Sequence, residues 1–197
     1  MRLLASLGLL LLLLVLAAAA YAYLGFYNVA ATDPHFDAVR WSLDTTMERS
    51  IERHAARDVG EAPPLDDLAK LQTGAHHFVE EGCVTCHGSP GRKPAGFTAQ
   101  MKPQPPDLSK AAAERSDAEL FWVMKHGLKM TAMPAFGPTH DEAELWAIVA
   151  FVRRLPKMSA AEFEDLTAAP AGAEHAGGGE DGAEEPSGEH GHGSPAD

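Results

Sequence analysis

An uninterrupted apolar run opens this chain, and stretches of helical period follow it. From Leu3 to Leu24 no side chain is charged, and Leu9 to Leu14 are all leucine. At the helical rise this run spans about 33 Å, close to the hydrocarbon thickness of a bilayer. Tyr21, Tyr23, Phe26 and Tyr27 gather at its far end, where an aromatic belt would meet the lipid–water interface. Next, Phe36, Val39, Leu43, Met47 and Ile51 recur at three- and four-residue steps between charged positions, which predicts an amphipathic helix. Its partner is left open: it is either a stalk at the membrane surface or a helix packed on the following domain. Gly60-Glu61-Ala62-Pro63-Pro64 ends it as a linker. From Asp66, the positions Leu68, Leu71, Ala75, Phe78 and Val79 give one apolar face, and Gly82 is placed to stop that helix.

Residues 88 to 109 are rich in Pro and Gly and hold no period, so they are expected to form a long loop. Beyond it, three capping boxes are predicted to start helices: Ser116 with Glu119, Thr139 with Glu142, and Ser159 with Glu162. The first helix carries Leu120, Phe121, Val123 and Met124 to Gly127; the second carries Leu145, Ile148, Val149 and Val152 to Leu155, before Pro156. No strand-length alternation occurs, which predicts an all-α domain. The expected organisation is a transmembrane anchor or uncleaved signal over 1–30, the amphipathic helix and Pro-rich linker over 31–65, a helical domain over 66–167, and a disordered acidic tail rich in His and Gly over 168–197. A cleaved signal peptide with a small-residue site at Ala18-Ala19-Ala20 or Ala20-Tyr21-Ala22 is the competing reading of the start. The apolar run is longer than an ordinary signal core, which favours a retained anchor. In either case Arg2 and the amino terminus stay inside, and the remainder crosses.

Charge sharpens this picture. The 197 residues carry a net charge of −12, which argues against a nucleic-acid binder. The tail 168–197 holds seven acids and no Lys or Arg, whereas residues 82–138 hold seven Lys and Arg against four acids, hence +3. A solvated mixed surface accounts for the basic stretch, with a docking patch for an acidic partner as the functional alternative.

The two cysteines fall in one motif, Cys83-Val84-Thr85-Cys86-His87, the attachment signature of a c-type haem. A thioredoxin-type pair would want a βαβ setting, and a structural zinc site would want two further ligands; the helical flanks and the lack of a second Cys pair favour the haem. Thiols three positions apart can add to the two vinyl groups of one haem, which makes His87 the proximal ligand. The opposite face needs a second ligand. Met133 is the choice, because Pro134 holds its backbone extended and presents a soft thioether from a loop. Met130 is the nearest competitor, and His126 or His140 would give a bis-histidine iron. His175, His190 and His192 in the tail read as scattered histidines of a polar segment, with a site for a metal such as copper or nickel as the alternative.

These motifs make the chain resemble the class I c-type cytochromes, of the membrane-anchored bacterial monohaem kind. The resemblance covers about residues 66 to 157 and rests on Cys83–Gly88, on Met133-Pro134-Ala135-Phe136 and on the closing helix Leu145–Arg154. It implies the cytochrome c fold, a small helical domain wrapped around one covalent haem c, in which the helix before the motif crosses the closing helix. Gly74 and Phe78, facing Ile148 and Phe151, match that crossing. The family usually places its aromatic four residues before the first cysteine, whereas Phe78 lies five before Cys83; either Val79 takes that place or Gly82 is an extra residue. The resemblance also implies a proline carbonyl that orients the proximal histidine, for which Pro94 is the match. The function expected is that of a single-electron carrier rather than an enzyme, anchored in a bacterial inner membrane with its haem domain in the periplasm and serving respiratory or dehydrogenase partners. The alternatives are a haem subunit of a larger oxidoreductase, and a haem enzyme or gas sensor whose sixth ligand is displaced.

Overall fold

A computed structural model describes residues 2–168; the predicted tail lies outside them, apart from Ala168. The described residues are mostly helical and contain no strand, only an isolated bridge between Ser89 and Arg92. The apolar run forms α1 (Arg2–Tyr23), none of whose residues is buried. After it come α2 (Asp37–Asp58), α3 (Leu68–Glu80), a single turn α4 (Cys83–His87), α5 (Leu108–Glu114), α6 (Asp117–His126), α7 (Glu142–Arg154) and α8 (Ala160–Ala168). Short 3-10 turns lie at Gly96–Gln100 and Leu155–Lys157.

The core is built on the crossing of α3 and α7. From Leu145 to Val152 every residue of α7 is buried, so this helix has no solvent face over its middle two turns. It is a core helix surrounded by others rather than a surface helix with one apolar stripe. Gly74 lies against the backbone of Ala147, and just beyond it the rings of Phe78 and Phe151 meet at 5.2 Å between centroids. Phe163 of α8 closes on both rings, and Phe121 of α6 stacks on Trp146 at 4.2 Å. Arg153, at the end of α7, binds the junction of α5 and α6: its guanidinium donates to Asp117 and to the carbonyls of Ala112 and Arg115.

The starts of α3, α5, α6, α7 and α8 are capped by side chains, whereas those of α2 and α4 are not. Ser116 and Glu119 exchange hydrogen bonds at the head of α6, and Ser159 and Glu162 do so before α8. The box before α7 departs from the expectation. Its cap is Asp141 with Glu144, two residues later than Thr139 with Glu142, because the Thr139 hydroxyl is engaged by Phe136 and His140 instead. The loop 88–109 is also shorter than expected, since Asp107 caps α5 by accepting from Ser109 N. The open question about α2 is settled by its second half. Ile51 and Ala55 are buried, His54 stacks on Trp122 of α6, and Glu48 pairs with Arg115 at 2.7 Å. The first half stays exposed, with Phe36 and Trp41 more than half open.

Candidate haem site

The cysteine turn is held between two backbone reversals. Gly82 enters α4 in the left-handed region at φ 73, and Gly88 leaves it at φ 72. Phe78 is buried and meets Phe151 in the α3–α7 crossing, whereas Val79 is exposed, so Phe78 is the aromatic that packs there. The alternative, Val79, does not reach the core.

Cys83, Cys86 and His87 face a cavity of about 560 Å³. Its wall is largely apolar: Phe78, Leu120, Met124, Phe136, Val149 and Val152 line it, and Met133 closes it from the far loop. Met47 and Ile51 of α2 complete one side, a contribution the sequence pattern did not assign to them. The Met133 loop is folded back at Gly127, where glycine is required both by φ 62 and because a Cβ would come within 2.8 Å of Met133 O and Ala135 N. Leu128 N then donates to Met133 O at 3.2 Å, Met133 N to the Thr131 hydroxyl at 3.1 Å, and Phe136 N to Met124 O at 3.1 Å. The backbone at Met133 is therefore fixed on both sides.

His87 is oriented from behind. Its Nδ1 lies 2.9 Å from Pro106 O, so the ring donates there and leaves Nε2 for the cavity side. This corrects the expectation of Pro94, whose ring instead packs against Gly88. The sequence could not choose among so many prolines in the loop. Burial pushes the His87 ring below the ordinary imidazole range, with the Pro106 carbonyl opposing the shift; the neutral form is the one that ligates a metal. Burial likewise pushes the Cys83 thiol up to about 11, the opposite of the lowered thiolate pKa of a reactive redox pair.

The other residues considered for the distal position stand elsewhere. Met130 is 84% exposed and takes φ 60 on the outside of the turn. His126 is exposed beside Trp122, and His140 faces His77 and Glu81. None of the three lines the cavity, whereas Met133 does. The residues present fit a haem: two thiols on one turn, an imidazole fixed by a carbonyl, an apolar enclosure, and a thioether on the opposing loop.

Residues 69–152, from α3 to α7, match the family model described as Cytochrome C oxidase, cbb3-type, subunit III. No curated protein and no solved structure matches the chain.

Proposed function

We propose that this chain, whose residues 69–152 match that family model, is a membrane-anchored c-type cytochrome, a single-electron carrier with one haem bound covalently through Cys83 and Cys86 and ligated by His87 and Met133. The observation that carries the reading is the cavity itself, with Cys83, Cys86 and His87 on one wall and Met133 on the other. When bound, the haem supplies a one-electron iron couple. The chain's own residues do the rest. Pro106 O holds the His87 ring by its Nδ1–H, the Gly127 turn holds the Met133 thioether in place, and Leu120, Phe136, Val149 and Val152 keep water from that space. With His87 and Met133 both committed to holding the haem, no protein position would be left open for a substrate, so transfer rather than catalysis would be the task.

The apolar helix α1 supports anchoring in the bacterial inner membrane, with Arg2 inside and the haem domain in the periplasm. Confinement there raises the encounter rate with membrane-bound redox partners without further contacts. A second reading is favoured by the family description, which names an oxidase subunit: the chain would then be the haem subunit of a larger oxidoreductase. A stoichiometric partner that co-purifies in mild detergent is the expected outcome of that reading, and a single species of one chain is the expected outcome of the free carrier.

The absorption spectrum of the ferric holoprotein tests the site. A methionine-to-iron charge-transfer band is expected in the native chain and is expected to vanish in Met133→Ala. Survival of the band in that variant overturns the assignment of Met133. Rapid, complete binding of carbon monoxide to the reduced native protein would instead support a displaceable ligand and a sensor or enzyme.

A further inference from the structure

A second cluster of ligating side chains lies beside the haem cavity, where α3 ends and α7 begins. His77 and Glu81 are four residues apart at the end of α3, the spacing that puts both on one helix face. His140, just ahead of the Asp141 cap, joins them from the other side of the seam. One ligand atom from each of the three lies within 4.8 Å of the others. His140 Nε2 is 3.3 Å from Glu81 Oε1, and the two imidazole rings meet edge to face with centroids 5.2 Å apart. Glu144 stands behind His77: its Oε1 is 3.8 Å from His77 Nε2, while its Oε2 accepts from Asp141 N.

The ring of His140 is held ready from its far side. The Thr139 hydroxyl donates to Phe136 O at 3.2 Å, so its oxygen accepts from His140 Nδ1–H at 2.9 Å. Nε2 then carries a lone pair and faces a carboxylate oxygen that is also an acceptor. Two acceptors at 3.3 Å call for a cation between or beside them, either a proton or a metal ion. The spacing suits a metal. Bonds of about 2.0–2.1 Å in a tetrahedral site put neighbouring ligand atoms about 3.3–3.5 Å apart, which His140 and Glu81 already satisfy. The Glu81 side chain is exposed enough to close the remaining gap to His77.

We propose that His77, Glu81 and His140 bind one divalent late transition-metal ion, of the zinc, nickel or copper class. Two imidazoles and a carboxylate select such ions over calcium and magnesium, which prefer all-oxygen sets. The hydrogen bond from His140 to Thr139 is the outer contact that orients a metal-bound imidazole. The ion staples the end of α3 to the start of α7. It also ties both halves of the haem site, since Glu81 precedes Cys83 by two residues and His140 packs its ring against Phe136 on the cavity wall.

The test uses the full, haem-loaded chain in detergent, stripped with a chelator and titrated with Zn²⁺ against a chromophoric competitor. One tight equivalent is expected in the native protein, with affinity at least tenfold weaker in His140→Ala and in Glu81→Gln. The triple variant His175→Ala, His190→Ala, His192→Ala is expected to keep that equivalent, which separates the cluster from the tail. Zinc-edge absorption of the 1:1 complex is expected to report two imidazole ligands. The haem spectrum is recorded for each variant; if His140→Ala loses it, the exposed and conservative Glu81→Gln decides. Absence of tight binding in the native chain, an affinity in Glu81→Gln within twofold of native, or loss of the equivalent in the tail variant overturns the proposal.

Discussion

Gly74 is where α3 and α7 come closest. A Cβ on this residue would lie 2.0 Å from Ala147 O and 3.0 Å from Phe151 Cβ. The nearest neighbour is helix backbone, which cannot rotate aside, so a methyl group must push the two helices apart. Gly74→Ala gains about 0.5–1 kcal/mol of helix-forming tendency but loses about 1–3 kcal/mol or more to overpacking. The clash wins, and the denaturation midpoint of the holoprotein is expected to fall. Met130 gives the contrasting case. Its left-handed backbone costs about 1–2 kcal/mol for a side-chain-bearing residue, and its side chain is exposed. Met130→Gly is therefore expected to leave stability within about 1 kcal/mol of native and to retain the charge-transfer band; loss of the band would make Met130 the ligand. At this scale the sequence was most informative where chemistry is local. Cys83, Cys86 and His87 are adjacent in the chain, and Pro134 marks Met133. The acceptor for His87 was not legible, because Pro94 and Pro106 differ only in where the loop carries them. Phe78 needed the structure too, since only its burial against Phe151, with Val79 left exposed, chooses between the two.

Among the elements, α2 changes role most. Its period marked an amphipathic helix, but an apolar stripe does not name the surface that covers it. In the structure the stripe divides: Leu43 stays 41% exposed, while Ile51 is 1% exposed and forms part of the cavity wall. The helix is thus exposed at one end and a pocket wall at the other. Ile51→Ala is expected to lower stability by about 2–5 kcal/mol, whereas Leu43→Ala is expected to stay within about 0.5 kcal/mol, both read from chemical unfolding of the haem-loaded chain. Equal, small effects at the two positions would mean that α2 does not pack on the haem domain in solution. The elements missed or shifted have physical reasons. Helix α5 is only seven residues long, too short to show a period, and it is held by the Asp107 cap and by Arg153 reaching across from α7. The α7 box moved because two caps were available, Thr139 and Asp141, and Thr139 was already committed to Phe136 and His140.

The whole molecule divides its apolar surface between two solvents. Helix α7 buries eight consecutive residues in protein, while α1, uncharged from Leu3 onward, buries none. A helix that leaves leucines at 53–74% exposure from Leu3 to Leu16 is satisfied only by lipid or by another apolar partner. Its removal should therefore cost the haem domain nothing. A chain lacking residues 2–24 is expected to partition into the aqueous phase, to keep the Met133-dependent band and to unfold at the same denaturant concentration as the full chain in detergent. The full chain is expected to sediment with membranes and to show an intact mass that includes the apolar segment. A mass beginning after Ala20 or Ala22 would make that segment a cleaved signal, and loss of the band on truncation would show that α1 packs on the domain. The first result would leave the haem site unchanged but remove the confinement that brings the carrier to its partners. In the proposed carrier, anchoring and ligation are thus expected to be separable, one set by the hydropathy of α1 and the other by the cavity between α4 and the Met133 loop.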